Sequence, residues 1–194
     1  MANKGFLLVT MDAPPAFEDE FNAWYDTEHL PERLAVPGFE TALRFVCVSG
    51  HPRYLAMYDL ARLDVLDSPE YIAVAFANSS PWTLRVMQRV RVYRAAGQQI
   101  YPGTAITRSA ARVQLLRFRN RTVGAADQII SGMRSNFDKR PETVQVRVLT
   151  FEDRGAIDFL GFVEQRAPDA LPLDLMAFGA HADAIDLVNT YTPY

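Results

Sequence analysis

The residues best equipped for chemistry in this sequence are concentrated in the run FEDEFNAWYDTEHLPERLAVPGF, residues 17–39. At about 100° per residue, Phe17, Phe21 and Trp24 fall on one side of a helix and define its buried stripe. Glu28 continues that stripe one turn beyond Trp24. A carboxylate on an apolar face is desolvated, which raises its pKa and suits it to general acid or base work. Tyr25, Asn22 and His29 occupy the adjoining flank, and His is the side chain most easily poised near neutral pH. The spacing therefore predicts that Glu28, His29 and Tyr25 converge where the helix stops, with Glu28 and His29 as an acid/base pair and Tyr25 orienting a ligand. A structural reading stands beside this one. In it Glu28 accepts hydrogen bonds from Arg33 or Arg44 and fixes the helix to a strand, because buried carboxylates require partners, and Trp24 is core rather than a stacking platform.

Little else in the chain competes for a catalytic role. The three histidines, His29, His51 and His181, lie in different segments without metal-ligand spacing, so no dedicated metal site is expected, although haem held through one His stays open. His51 reads as a solvated turn residue and His181 as helix surface. Phosphate loops, dinucleotide fingerprints and nucleophile elbows are absent, and no cofactor is expected. The single cysteine, Cys47, sits in an apolar strand where burial outweighs nucleophilicity, and it has no intrachain disulfide partner, which fits a reducing, cytoplasmic setting. Twenty Lys and Arg against twenty-three Asp and Glu leave a net charge of −3, which disfavours nucleic acid and anionic lipid as partners. Residues 6–11 are apolar but too short for a signal segment or a membrane span. Arg85, Arg89, Arg91 and Arg94 cross a helix-to-strand join and read as a solvated rim.

The elements that must position the site follow from switches between period two and period 3.6. Residues 6–11 read as a strand, and a helix covers 15–29. Leu30-Pro31 then interrupts the ladder because Pro31 has no N–H, leaving 32–36 as a separate short turn. Residues 39–49 and 53–61 read as an antiparallel pair of strands. Residues 70–78 and 82–89 read as helices, each behind a Ser-Pro start, and 90–94 as a strand. The order is βαββαβ, and the remainder repeats it: strands at 111–119, 144–151, 158–166 and 185–191, helices at 124–137 and 174–184. Gly97 and Gly103 mark a linker over 97–109. One such unit leaves one face of its sheet bare, and two can cover each other face to face.

The motif Asn22-x-Trp24-Tyr25-x-x-Glu28-His29-x-Pro31-x-Arg33, followed by Val36-Pro37-Gly38-Phe39, resembles the signature of the EthD-like branch of the dimeric α/β-barrel superfamily. Tyr93-Arg94 and Tyr101-Pro102-Gly103 are similar to the exit of that domain. The resemblance implies an α+β fold of two tandem ferredoxin-like βαββαβ repeats, residues 1–103 and 104–194, forming an intrachain dimeric α/β-barrel-like arrangement. It also implies a cavity between sheet and helices lined by Glu28 and His29, with Tyr25, Trp24, Asn22 and Arg33 in contact with a small-molecule ligand. The second half lacks the signature: its first helix has Asp127, Arg134 and Asn136 but no Trp-Tyr or Glu-His pair, so it reads as a built-in partner. The superfamily includes cofactor-independent monooxygenases acting on polycyclic phenols, polyketide cyclases, lactone isomerases and haem-degrading enzymes. The expected function is cofactor-independent acid/base chemistry on a small apolar or aromatic carbonyl or phenolic metabolite. The alternative is a non-catalytic ligand-binding or assembly protein in which Glu28 is structural. Neither nucleic acid nor membrane is expected as a partner, and pairing into a homodimer is compatible with either reading.

Overall fold

A computed structural model describes residues 3–194. Eight strands form one closed antiparallel barrel in the order β1-β3-β2-β8-β5-β7-β6-β4. They are β1 (Gly5–Asp12), β2 (Phe39–Cys47), β3 (Tyr54–Leu60), β4 (Arg91–Tyr101), β5 (Arg112–Arg121), β6 (Thr143–Asp153), β7 (Ala156–Gln165) and β8 (Ile185–Pro193). Helices α1 (Glu18–Trp24), α2 (Leu30–Leu34), α3 (Pro69–Ile72) and α4 (Pro81–Met87) belong to the first half of the chain, and α5 (Ala126–Phe137) to the second. The expected hairpin of β2 and β3 forms, with Phe45 opposite Leu55. Two seams close the barrel, β2 against β8 and β4 against β6.

Strand alternation divides the core into an inside and two outsides, since successive side chains point to opposite faces. Along β1, Phe6 and Leu8 enter the barrel with Phe45, Leu55, Met57, Leu149 and Phe162. Leu7 and Met11 point outward, beneath Phe21, Trp24 and Tyr25. On the other outer face, Met133 and Phe137 of α5 pack with Phe118, Phe159 and Phe178. The free thiol of Cys47 is buried inside the barrel, as its apolar strand predicts.

The segment expected as a linker, residues 97–109, is one only beyond the end of β4. Residues 97–101 belong to β4, and Gly97 is needed for close approach: a Cβ there would lie 2.0 Å from the Thr150 carbonyl oxygen across the β4–β6 seam. Residues beyond it tie down one end of the barrel. Arg147, fully buried, donates to Asp59 Oδ1 (2.5 Å), Thr107 Oγ1 (2.8 Å) and Gln99 Oε1 (3.1 Å). The amides of Thr107 and Arg108 donate to Asp59 Oδ2 (2.6 Å) and Glu164 Oε2 (3.1 Å). Buried charges survive only when paired and hydrogen-bonded, so these carboxylates hold the connecting strand in place. Small polar residues read as a flexible link; the partners that order them lie far away in sequence.

Two helices also differ from expectation. Residues 70–78 hold only the short α3 and a 3₁₀ turn, Phe76–Asn78, while 174–184 form 3₁₀ structure broken at Gly179. The break at Pro31 is absent, for a reason that governs the site described below.

One guanidinium serves two carboxylates in the barrel plug. Burial, the dominant cause, pushes Glu164 up from 4.5 to about 7, and the nearby Asp59 charge adds to it. A carboxyl whose folded pKa is raised contributes stability that is present below its unfolded pKa and lost as pH rises through the folded one. Replacing Glu164 by Gln should therefore help more at pH 8 than at pH 5. Thermal denaturation of E164Q against wild type at the two pH values checks this, and a pH-independent difference would contradict it.

Candidate functional site

The buried stripe expected for α1 is present, with Phe17, Phe21 and Trp24 all buried. Beyond Trp24 the helix does not stop but widens. Tyr25–His29 form a π-helical turn in which the Leu30 amide donates to the Tyr25 carbonyl, and α2 continues directly through Pro31. Proline cannot donate, and its ring collides with the carbonyl four residues back, here Thr27. Widening the preceding turn relieves both problems and inserts one extra residue into the helical repeat. The consequence is a register shift. His29, five residues on, takes the place one turn beyond Trp24 that regular helical spacing gives to Glu28.

The shift decides which groups meet. His29 stacks on Trp24 with ring centroids 4.4 Å apart and meets Tyr25 edge-on at 5.1 Å. These three, with Arg33, line a cavity of about 270 Å³ between the helices and the outer face of β1, β3 and β4. Leu7, Val9, Met11, Tyr58 and Val92 supply its sheet wall, and Tyr71, Phe76, Leu84 and Met87 its helical side. Phe76 and Met87 remain partly solvent-exposed and so mark the mouth. Phe76 adopts φ 55°, a conformation that L side chains rarely take, which sets its ring edge-on to Tyr71.

Glu28 is not among the lining residues. Its Oε1 accepts from Ser80 Oγ (2.5 Å) and Thr83 Oγ1 (3.1 Å), and Thr83 Oγ1 in turn accepts from Trp24 Nε1 (3.0 Å). Ser80 caps α4 through the Thr83 amide. Glu28 thus ties the widened turn to the start of α4, a structural task with different partners from the Arg33 or Arg44 expected. The Glu28–His29 acid/base pair is not assembled by this geometry. Asn22 also lies outside the cavity: its amide donates to Tyr54 Oη (3.1 Å) and its carbonyl accepts from Arg44 (2.6 Å). Arg44, also paired with Asp26, lies between the rings of Tyr25 (4.3 Å) and Tyr194 (4.0 Å). Arg33 is buried against Tyr71 and donates through both terminal nitrogens to the Val74 carbonyl at 3.0 Å.

The electrostatics favour negative charge. His29 is lowered from 6.5 to about 3, first by burial and then by the Arg33 and Arg44 charges, so its ring is neutral at physiological pH. Its Nδ1 is buried without a hydrogen-bond partner. Tyr25 and Tyr58 share a hydrogen bond of 2.8 Å, and burial pushes Tyr25 up to about 12 and Tyr58 well above its ordinary value. Both hydroxyls stay protonated; one proton bridges them and the other remains to donate. Tyr58, Tyr71 and Arg94 are lining residues that the helical motif could not reveal, although period-two alternation along β3 and β4 places Tyr58 and Arg94 on one outer face. His51 is exposed and contacts Asp12 at 2.7 Å, as a turn residue should.

The second half offers no matching cavity among the described residues. Met133 fills the space over β7 so closely that a Cβ at Gly161 would lie 2.4 Å from its methyl carbon, and Phe178 is fully buried beside it.

No protein-family profile matches the chain, and no curated protein matches it. Solved structures do. An anthrone oxidase-like protein superposes with a TM-score of 0.71 over 100% of this chain and 92% of its own, at 12% identity. A candidate monooxygenase from Lactobacillus acidophilus NCFM gives 0.61 over 99% and 93%, at 9% identity. A mutant of the chlorite dismutase from Candidatus Nitrospira defluvii gives 0.60 over 99% and 92%, also at 9%. At such identities the likeness is one of fold.

The Glu28 assignment makes a direct prediction. Glu28→Ala strands two hydroxyl donors and should cost about 1–3 kcal/mol in chemical denaturation while leaving a folded protein that still binds ligand in the cavity. An E28A protein of unchanged stability that no longer binds would return Glu28 to the site.

Proposed function

We propose that this chain is an EthD-like protein of two tandem ferredoxin-like halves, residues 1–103 and 104–194, whose first half takes a compact aromatic carbonyl or phenolic metabolite for cofactor-independent acid/base chemistry. The observation that carries the reading is that His29 lines an apolar cavity together with a protonated tyrosine pair. In the reaction class this favours, a C–H bond next to a ligand carbonyl breaks. Its proton passes to His29 Nε2, and its electron pair moves onto the carbonyl oxygen as an enolate. The Tyr25–Tyr58 pair donates to that oxygen, and preorganised donors of this kind are worth most where water is excluded.

The charges act on both partners of this transfer. Arg33 and Arg44 oppose a proton on His29 in the empty cavity. Once an enolate forms they favour it, and its negative charge offsets the new imidazolium. The likeness in fold to an anthrone oxidase-like protein is in keeping with a flat aromatic ketone as the ligand. Haem does not fit the cavity: its volume of about 270 Å³ falls below the roughly 300–1,000 Å³ that drug-sized ligands occupy, and a tetrapyrrole is larger still.

Solvent-deuterium incorporation into 2-tetralone, followed by mass spectrometry, tests the proposal. Wild type should accelerate exchange, and His29→Gln should lose about 10²-fold or more of that acceleration. Binding without any acceleration would leave the non-catalytic binder as the reading.

A further inference from the structure

We infer that the ligand of this cavity is an anion, an aromatic carboxylate whose ring enters the apolar chamber while its charged group pairs with Arg94 at the mouth. The inference rests on the cavity being the ligand site and adds the charge of what it takes.

Along β4 the side chains alternate. Ala95 points into the barrel, whereas Val92, Arg94 and Ala96 face the helical side, where Val92 and Arg94 line the cavity. The arginines read together as a solvated rim therefore separate into different roles. Arg85 and Arg89 both reach Glu20, and Arg53 reaches Glu18, so their charges are met. Arg94 has no ion-pair or hydrogen-bond partner among the described residues, and no carboxylate is present in the cavity lining.

Arg33, the other lining cation, is committed to the Val74 carbonyl and lies 3.5 Å from Glu32. An uncompensated guanidinium beside an apolar wall offers nothing special to a neutral ring and repels a cation. It offers a carboxylate two parallel hydrogen bonds, because the planar fork matches that anion. Arg94 is itself exposed, so the pairing forms at the solvent edge of the cavity and is weakened by salt. The neutral state of His29 is consistent with the same excess of positive charge around the chamber.

Two probes of nearly equal shape separate this inference from the reading beneath it. Binding of 1-naphthoate and 1-naphthamide is measured by Trp fluorescence and calorimetry, with each used to displace the other. The wild type should prefer naphthoate by about tenfold or more, and added salt should narrow the preference. Arg94→Gln should erase it, lowering naphthoate affinity far more than naphthamide affinity, and Arg94→Lys should retain part of it. Equal wild-type affinities would overturn the inference and leave the cavity a ligand site. A preference that survives in R94Q would overturn the role of Arg94. Failure of both probes to bind would overturn the cavity reading and the inference with it.

Discussion

The placement of His29 depends on a hydrogen bond that Pro31 cannot make. With an ordinary residue at 31 the helix would keep its regular spacing, and Glu28 would follow Trp24 onto the buried stripe. Proline instead forces the preceding turn to widen, so that the Leu30 amide reaches back to Tyr25 and the register advances by one residue. His29 then lies flat on Trp24, and Glu28 is displaced to the side, where Ser80 and Thr83 hold it. The same carboxylate that gives up a ligand-facing position fastens α4, and with it one wall of the cavity.

The opposite wall is rigid because the barrel behind it is solid. Phe45, Met57, Leu149 and Phe162 fill the interior, and the Arg147 network closes one end. The outward residues of β1 and β3 are therefore held from behind, while only short helices and the turn around Phe76 cover them from the front. On the other outer face Met133 of α5 packs closely with Phe178. Burial, reinforced by the Arg33 and Arg44 charges, keeps His29 unprotonated, and burial keeps Tyr25 protonated.

Much of this was legible in the residues. The strands of the second half follow from alternation, and the meeting of Tyr25 with His29 follows from the motif, which sets Glu28 rather than Trp24 beside them. Three features were not. The π-helical turn is invisible to a fixed angular spacing, so Pro31 reads as a stop when it is a local widening, and Glu28 is assigned the place that His29 takes. Gly97 reads as a linker glycine because nothing local shows that β6 passes within contact of it. Thr107 and Arg108 read as loop because the carboxylates that bind their amides, Asp59 and Glu164, lie on strands remote in sequence. Each miss arises from a contact that a window along the chain cannot contain.

The central claim is that the widened turn sets a neutral His29 ring against Trp24, and nuclear magnetic resonance of the histidine side chains tests it most directly. With His29 identified by its loss in H29Q, its ring protons should be shifted upfield by the Trp24 ring current. They should show no protonation between pH 8 and pH 4, in keeping with a pKa of about 3. Unshifted resonances that titrate near the ordinary value of 6.5 would place His29 in solvent and contradict the account.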